Sequence, residues 1–267
     1  MKDMALLLLP GSEAAASYAL SVARSCDAHL TALGVVVEPT GAIGIPEASA
    51  ALVLSLLDKA RDDVNNMLET IGPRARELGV ALDTEVIETT LGEADETMAR
   101  VLREFDVTVI GQPHPDGPGD VTRIIETALF RSGRPVLIVP YIQREPMRLG
   151  NVLIAWDGGA PAARALGDAM PLLAAAGQIE VVAVGAADGD RPAANVARHL
   201  ARHGMRAKTR LLPDGDVAAA LLSYAADAEA DLLVMGGYGH SRFREVILGG
   251  ATRGILESMT VPVFMSH

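Results

Sequence analysis

The chain has 267 residues, of which 49% are hydrophobic and 3% aromatic, and its formal net charge is −11 at pH 7. A single domain usually has roughly 100–200 residues, so this length predicts two compact halves. The acidic balance, without a concentrated basic patch, argues against a nucleic-acid partner. The opening apolar run of MKDMALLLLPGS is too short for a bilayer, which takes about 20 residues, and a single cysteine, Cys26, fits a reducing compartment. We therefore expect a cytoplasmic protein with no membrane anchor.

An internal repeat organises the chain. MALLLLPGSEAAASYALSVA and NVLIAWDGGAPAARALGDAM each combine an apolar run, a glycine turn and an alanine-rich helical pattern. LGVALDTEVIETT…FDVTVIGQ and HGMRAKTRLLPDG…ADLLVMGG form a second matching pair, and GRPVLIVP and TVPVFMSH close the two halves. Repetition at three places in the same order predicts two copies of one fold.

The first half contains an insertion, EPTGAIGIPEASAALVLSLLDKARDDVNNMLETIG. It is loop-like to about Pro46 and then has helical periodicity. The apolar positions of that helix are Leu52, Leu56, Leu57, Ala60, Val64, Met67 and Leu68. The pattern favours a helix that covers the core, and a lid over a pocket stays open as the alternative.

The second half alternates strands and helices. We predict its strands near 151–156, 179–185, 207–212, 231–236 and 261–266, and their continuous apolar character is typical of parallel strands covered on both faces. The polar segment Tyr141 to Gly150 separates the halves, so we predict domains at residues 1–142 and 149–267. The predicted fold is α/β, with two doubly wound, five-stranded, mainly parallel sheets in tandem.

Glycines crowd the segment GGYGHSRFREVILGG, Gly236 to Gly250, which follows the fourth predicted strand of the second half. Ligands of doubly wound sheets bind at the carboxyl ends of the strands, where the strand order reverses. Glycine turns there bring backbone N–H groups close to a ligand, and the start of the next helix favours an anion such as phosphate. A simpler reading is that the glycines end a strand and cap helices. The segment matches neither the P-loop nor the GxGxxG dinucleotide pattern.

The spacing in this segment resembles the signature of the universal stress protein family, which is glycine, two residues, glycine, nine residues, glycine and then Ser or Thr. Gly236, Gly239 and Gly249 fit it with the nine-residue gap HSRFREVIL. The resemblance implies the Rossmann-like universal stress protein fold in both halves, since tandem members of the family are common.

The resemblance also implies a nucleotide site in the second half, with ATP or another adenine nucleotide, carried with Mg²⁺, as its ligand. Asp157 takes the adenine-binding position and Val184 the position that packs on the base. The remaining predicted site residues are Met235, Gly236, Gly239, His240, Gly249, Gly250 and Thr252. Taken alone, Asp157 also suits a turn or helix cap, and Val184 also suits the core.

Two departures from the family pattern bear on ligand binding. Gly250 stands where the pattern has Ser or Thr, so a hydroxyl that could bind phosphate is missing there, and Thr252 is a candidate to replace it. In the first half, Pro10 occupies the position of Asp157, and the prolines at 113, 115 and 118 each remove a backbone donor from the loop after Gly111. We therefore predict a degenerate first half that forms an intramolecular pseudo-dimer with the second.

No nucleophile elbow, HExxH motif or catalytic carboxylate pair is visible, and the histidines lack neighbours at metal-ligand spacing. We expect a stress-related regulatory or protective module with at most weak ATPase activity. The alternatives are an interaction module of the same fold that no longer binds nucleotide, and a slow ATP hydrolase. The sequence leaves open the protein partner and whether whole chains form a homodimer.

Overall fold

The computed structural model describes residues 1–38, 47–114, 121–185, 191–237 and 250–267. The elements of the first half are β1 (Asp3–Leu7), α1 (Glu13–Cys26), β2 (His29–Glu38), α2 (Glu47–Leu78), β3 (Leu82–Thr90), α3 (Ala94–Leu102), β4 (Val107–Gly111), α4 (Val121–Arg131) and β5 (Val136–Val139). Those of the second half are β6 (Asn151–Ala155), α5 (Ala160–Leu173), β7 (Gln178–Val184), α6 (Arg191–Arg202), β8 (Ala207–Leu212), α7 (Val217–Asp227), β9 (Leu232–Gly236), α8 (Gly250–Ser258) and β10 (Val263–Ser266). The predicted α/β alternation is confirmed in both halves.

All ten strands form one sheet, in the order β3-β2-β1-β4-β5-β10-β9-β6-β7-β8. Neighbouring strands are parallel within each half, whereas β5 and β10 pair antiparallel, with Leu137 opposite Phe264. The two predicted five-stranded sheets are therefore present and joined edge to edge within one chain. Because the joint is antiparallel, the carboxyl ends of the strands in the two halves lie at opposite edges of the sheet.

Helices cover both faces of this sheet. One apolar cluster packs under α1, α2, α5 and α6, and a second packs under α3, α4, α7 and α8. The strands contribute to both clusters because alternate side chains point to opposite faces. Burial on both faces explains the continuous apolar runs of the sequence. None of the described helices combines the length and apolar character needed to cross a bilayer.

The insertion forms the long helix α2, as its periodicity predicts. Val64 and Leu68 are buried against β2, where a side chain at Gly34 would collide with Val64. Leu52 and Leu56, nearer the start of the helix, are 61% and 58% exposed. The later turns of α2 therefore cover the sheet, and its first turns extend beyond that contact.

Each half has an aspartate in the turn that leads into its fourth strand. An Asp106 carboxylate oxygen accepts hydrogen bonds from the backbone N–H groups of Lys2 and Asp3, at 2.7 and 3.3 Å. In the same way, Asp231 accepts one from the N–H of Asn151 at 2.9 Å. These bonds fix the start of the first strand of each half beside the fourth.

The bond from the Lys2 N–H is the main cause that lowers the pKa of Asp106 below its ordinary value of 3.8. A lowered pKa in the folded state stabilises the protein above the ordinary value, and this contribution is lost as the pH falls through the lowered pKa. We expect Asp106→Asn to lower stability at neutral pH and to differ less from the parent in acid. Urea unfolding at both pH values measures this, and a difference that grows in acid would contradict it.

A buried glutamine joins the halves beside the β5–β10 pair. Gln112, which follows β4, is 6% exposed, and its side-chain Nε2 donates to the carbonyl oxygen of Leu256 in α8 at 2.9 Å. Its Oε1 accepts from the backbone N–H of Tyr141 at 3.4 Å. The last carbonyls of a helix lack intrahelical donors, so Gln112 supplies one from the other half.

We expect Gln112→Ala to destabilise the chain by about 1–3 kcal/mol, because it leaves a buried carbonyl without its donor. The free energy of unfolding in urea is the measurement. Gln178→Ala is a matched control, since Gln178 is exposed and bonded to Lys208 at the surface. Equal losses in the two variants would show that the inter-half hydrogen bond contributes nothing specific.

Candidate functional site

A cavity of about 260 Å³ lies at the carboxyl ends of β6, β7 and β9. The chain passes from β6 outward to β7 and β8 and then returns to β9 on the other side of β6, so the strand order reverses here. Six predicted site residues line this cavity: Asp157, Val184, Met235, Gly236, Gly250 and Thr252. Gly239, His240, Gly249 and the predicted helical stretch between them lie outside the described residues.

The loop between β6 and α5 presents a carboxylate at the mouth of the cavity. Asp157 is exposed, and its Oδ1 accepts a hydrogen bond from the backbone N–H of Gly159 at 2.8 Å. Gly158 has a φ of 79°, a left-handed conformation that glycine adopts without strain. A carboxylate accepts several hydrogen bonds at once, so the bond to Gly159 can orient Asp157 while the side chain faces a ligand.

The cavity walls beyond this carboxylate are mainly apolar. Val184 at the end of β7 is half-buried, and Met235 at the end of β9 is 6% exposed. Val217 and Leu221 on α7 face the same space. Apolar walls of this kind suit a planar ring system, which gains from contact with apolar side chains on its faces.

The third side of the cavity is the start of α8. Gly250 is the first residue of this helix and is exposed, whereas Thr252, two residues later in the first turn, is 3% exposed. The first N–H groups of a helix have no intrahelical acceptor, and the helix dipole makes this end positive. An anionic group that extends from the cavity toward Gly250 therefore meets N–H donors.

Packing explains why position 236 is a glycine, independently of any ligand. A Cβ atom added at Gly236 would lie 2.5 Å from the backbone nitrogen of Ala162 and 2.6 Å from the carbonyl carbon of Pro161. The start of α5 thus packs directly on the end of β9. Close packing is sufficient to require glycine at this position, although Gly236 also lines the cavity.

The described strand ends of the first half differ from those that border the cavity. Leu7 of β1 pairs with Leu33 as Ala155 of β6 pairs with Val182, so Leu7 corresponds to Ala155. Leu7 is fully buried, whereas Ala155 is half-buried and lines the cavity. The larger side chain fills in the first half the volume that the alanine leaves open in the second.

The loops after β1 and β6 each contain a glycine with positive φ, and this glycine allows the two loops to be compared. Pro10 precedes Gly11, whose φ is 81°, just as Asp157 precedes Gly158, although the first loop has one more residue between the strand and the glycine. The first half therefore has a proline at the position of the carboxylate. His114, in the loop after β4, packs edge-on against Tyr141, with ring centroids 4.8 Å apart.

Several lining residues were missed from the sequence: Ala155, Trp156, Ala162, Val182, Val217 and Leu221. Ala155, Trp156 and Val182 lie at strand ends on the predicted rim, so the strand register could have identified them. Val217 and Leu221 belong to α7, which begins at that rim after its N-cap Asp216 accepts from the Ala219 N–H at 3.0 Å. The Asp216 cap is a sequence signal that was available.

Comparison with known proteins identifies the second half. Residues 149–267 match the family model described as universal stress protein family. The second half of the chain is therefore similar to the universal stress protein family. The chain is 29% identical over 168 residues to a curated universal stress protein of Synechocystis, an alignment that spans 60% of this chain and 57% of that relative.

The universal stress protein fold extends over both halves. A crystal structure of a universal stress protein from Archaeoglobus fulgidus superposes with a TM-score of 0.73, covers 98% of this chain and 97% of its own, and is 17% identical. A functionally unknown protein from Pseudomonas aeruginosa has a TM-score of 0.61, with 99% and 92% coverage and 17% identity. At these identities the likeness shows the fold alone, and the ligand and the partner of this chain are matters for proposal.

Two glycines of the segment Gly236 to Gly250 should respond differently to alanine. We expect Gly236→Ala to cost about 1–3 kcal/mol, because the added methyl group collides with the backbone of α5. Gly250→Ala should leave stability unchanged or raise it, since a Cβ there meets nothing within 4 Å and alanine favours helix. Thermal unfolding without ligand compares them, and equal behaviour would contradict the packing account of Gly236.

Proposed function

We propose that the second half of this chain binds an adenine nucleotide, with ATP as the leading ligand, in the cavity at the ends of β6, β7 and β9. One observation carries the proposal. A carboxylate, an apolar wall and a helix N-terminus border a single cavity at the point where the strand order reverses. These three chemistries match the three parts of a nucleotide, which are the amino-substituted base, its ring faces and the phosphates.

In this arrangement Asp157 accepts a hydrogen bond from the exocyclic amino group of adenine, which is a donor. Val184 and Met235 contact the faces of the base. Ligand pockets usually have roughly 300–1,000 Å³, so a cavity of about 260 Å³ suits the nucleoside portion. The phosphates then extend along the start of α8, where Gly250 and Thr252 lie.

In this proposal Mg²⁺ binds together with the phosphates of the nucleotide. Among the described residues, no group of three His, Cys, Asp or Glu side chains converges to hold a metal ion. Mg²⁺ is commonly held through substrate phosphates with few protein ligands. The Thr252 hydroxyl is the protein oxygen that we assign to the metal or the phosphate, in place of the hydroxyl that Gly250 lacks.

We infer that the nucleotide-bound form is a cytoplasmic regulatory or protective module of the stress response. The first half is its pairing partner and takes no nucleotide, because Leu7 fills the corresponding space and Pro10 replaces the carboxylate. The competing assignment is an interaction module without nucleotide, which the glycine at position 250 favours. Mass spectrometry of small molecules released by denaturing the freshly purified protein separates the two assignments.

We expect saturating ATP to raise the stability of the protein by about 2.7 kcal/mol at 100 times its Kd. Ala155→Leu reproduces in the second half the leucine of the first, so this variant should fold normally and lose the stabilisation by ATP. Asp157→Ala should weaken binding about tenfold, which is 1.4 kcal/mol. Differential scanning calorimetry with and without ATP measures both effects.

Ala175→Leu is the matched control for the cavity-filling variant, because Ala175 is exposed in the turn after α5. It should keep the full response to ATP. An unchanged melting temperature of the parent protein over saturating ATP would refute the proposal. So would a response to ATP that survives Ala155→Leu.

A further inference from the structure

We propose that a second cavity, distinct from the nucleotide cavity, binds the phosphate ester of a small organic molecule. This linker cavity has about 400 Å³ and lies between α1, α2 and the segment 140–150 that connects the halves. Its defining residues are Tyr18 and Arg24 of α1, Arg74 of α2 and Arg144 of the connecting segment. None of the described residues that line the linker cavity also lines the proposed nucleotide cavity.

Three guanidinium groups line this cavity without carboxylate partners. Among the described residues, no ion pair involves Arg24, Arg74 or Arg144, and Arg74 instead donates to the Ser17 hydroxyl at 2.7 Å. Other exposed arginines of the described residues are of both kinds. Arg61 pairs with Glu88 and Arg253 with Glu257, whereas Arg76 and Arg100 are in no ion pair, so it is the convergence of three such arginines on one cavity that distinguishes this place. In a chain with a net charge of −11, three unpaired arginines from three elements at one cavity indicate an anionic ligand.

A buried phenol adds a donor to this set. Tyr18 is 2% exposed and lines the cavity. Its hydroxyl makes no hydrogen bond to the described part of the chain and is not sealed in the core, so it is accessible from the cavity. Burial, together with the nearby charge of Asp231, raises the pKa of Tyr18, so the phenol keeps its proton as a donor. Tyr18 also borders a smaller cavity of about 170 Å³ that contains Asp231.

The serine hydroxyls of α1 line the cavity but already donate hydrogen bonds within the helix. Ser17, Ser21 and Ser25 each donate to a backbone carbonyl within α1, at 2.8, 2.6 and 2.8 Å. The Ser21 oxygen also accepts from the backbone N–H of Met147 at 2.8 Å, which holds the connecting segment against α1. The donors that remain for a ligand are therefore the arginines and Tyr18.

The remaining lining fits a phosphate joined to an organic group. Glu145 is the one carboxylate among the described lining residues, and its Oε2 pairs with Arg148 at 3.0 Å. Ala14, Leu78 and Pro146 add apolar surface. A volume of about 400 Å³ exceeds what an inorganic phosphate needs and falls within the range of roughly 300–1,000 Å³ for ligand pockets. Guanidinium groups bind phosphate oxygens in bidentate pairs.

A ligand in this position would bridge the connecting segment to the first half. Arg144 lies on that segment, whereas Arg24 and Arg74 lie on helices of the first half. A phosphate that contacts all three therefore holds the segment in place. Ligand binding is thus coupled to the position of the segment that connects the two halves.

Phenyl phosphate is a suitable probe, because it has a dianionic head and an apolar ring and lacks adenine. Isothermal titration at constant ionic strength should detect its binding to the full chain. We expect the double variant Arg24→Gln/Arg144→Gln to weaken binding at least about tenfold. Tyr18→Phe should also weaken binding and leave the melting temperature unchanged or higher, because its hydroxyl has no partner to lose.

Arg76→Gln is the matched control, since Arg76 is an exposed arginine of α2 that does not line the cavity. It should bind phenyl phosphate like the parent, and so should Ala155→Leu, which blocks the proposed nucleotide cavity. The proposal is overturned if phenyl phosphate does not bind at millimolar concentration, or if Arg76→Gln weakens binding as much as the double variant. Inorganic phosphate that binds as tightly as phenyl phosphate would overturn the assignment of an organic ligand.

Discussion

The antiparallel pair of β5 and β10 is the contact on which the rest of the molecule depends. Each half alone would expose a short apolar edge strand, and unpaired edges of this kind associate with other chains. Here Val136, Leu137 and Ile138 pair with Met265, Phe264 and Val263, and all six side chains are buried. The pair turns two half-sheets into one and gives each half a partner whose concentration is fixed by the covalent chain.

This joint also determines what the residues around it can do. Gly237 follows β9, and a side chain there would collide with Leu129 of α4 and Met265 of β10. Gln112 takes the corresponding place after β4, where its side chain reaches α8. Gly237 and Gln112, at equivalent positions, thus support the contact between the halves in different ways. Gly237 allows close packing because it has no side chain, and Gln112 donates a side-chain hydrogen bond.

The sequence predicts most of the fold because the apolar periodicity of each element and the internal repeat are both visible in the order of residues along the chain. The predicted strand near 207–212 matches β8, and the other strands of the second half agree within about three residues. The rim residues Asp157 and Val184 follow from the topology alone. Contacts between distant elements carry no such local signal, which is why Val217 was missed and why no pattern pointed to the meeting of Arg24, Arg74 and Arg144.

The opposite direction of the two half-sheets has a consequence for how substitutions act in each half. The open crevice beside Ala155 and the filled one beside Leu7 lie at opposite edges of the sheet, with no wall in common. A substitution in one crevice therefore leaves the geometry of the other intact. The two halves share one architecture through the joint while their crevices differ, so a leucine in one half is compatible with an alanine in the other.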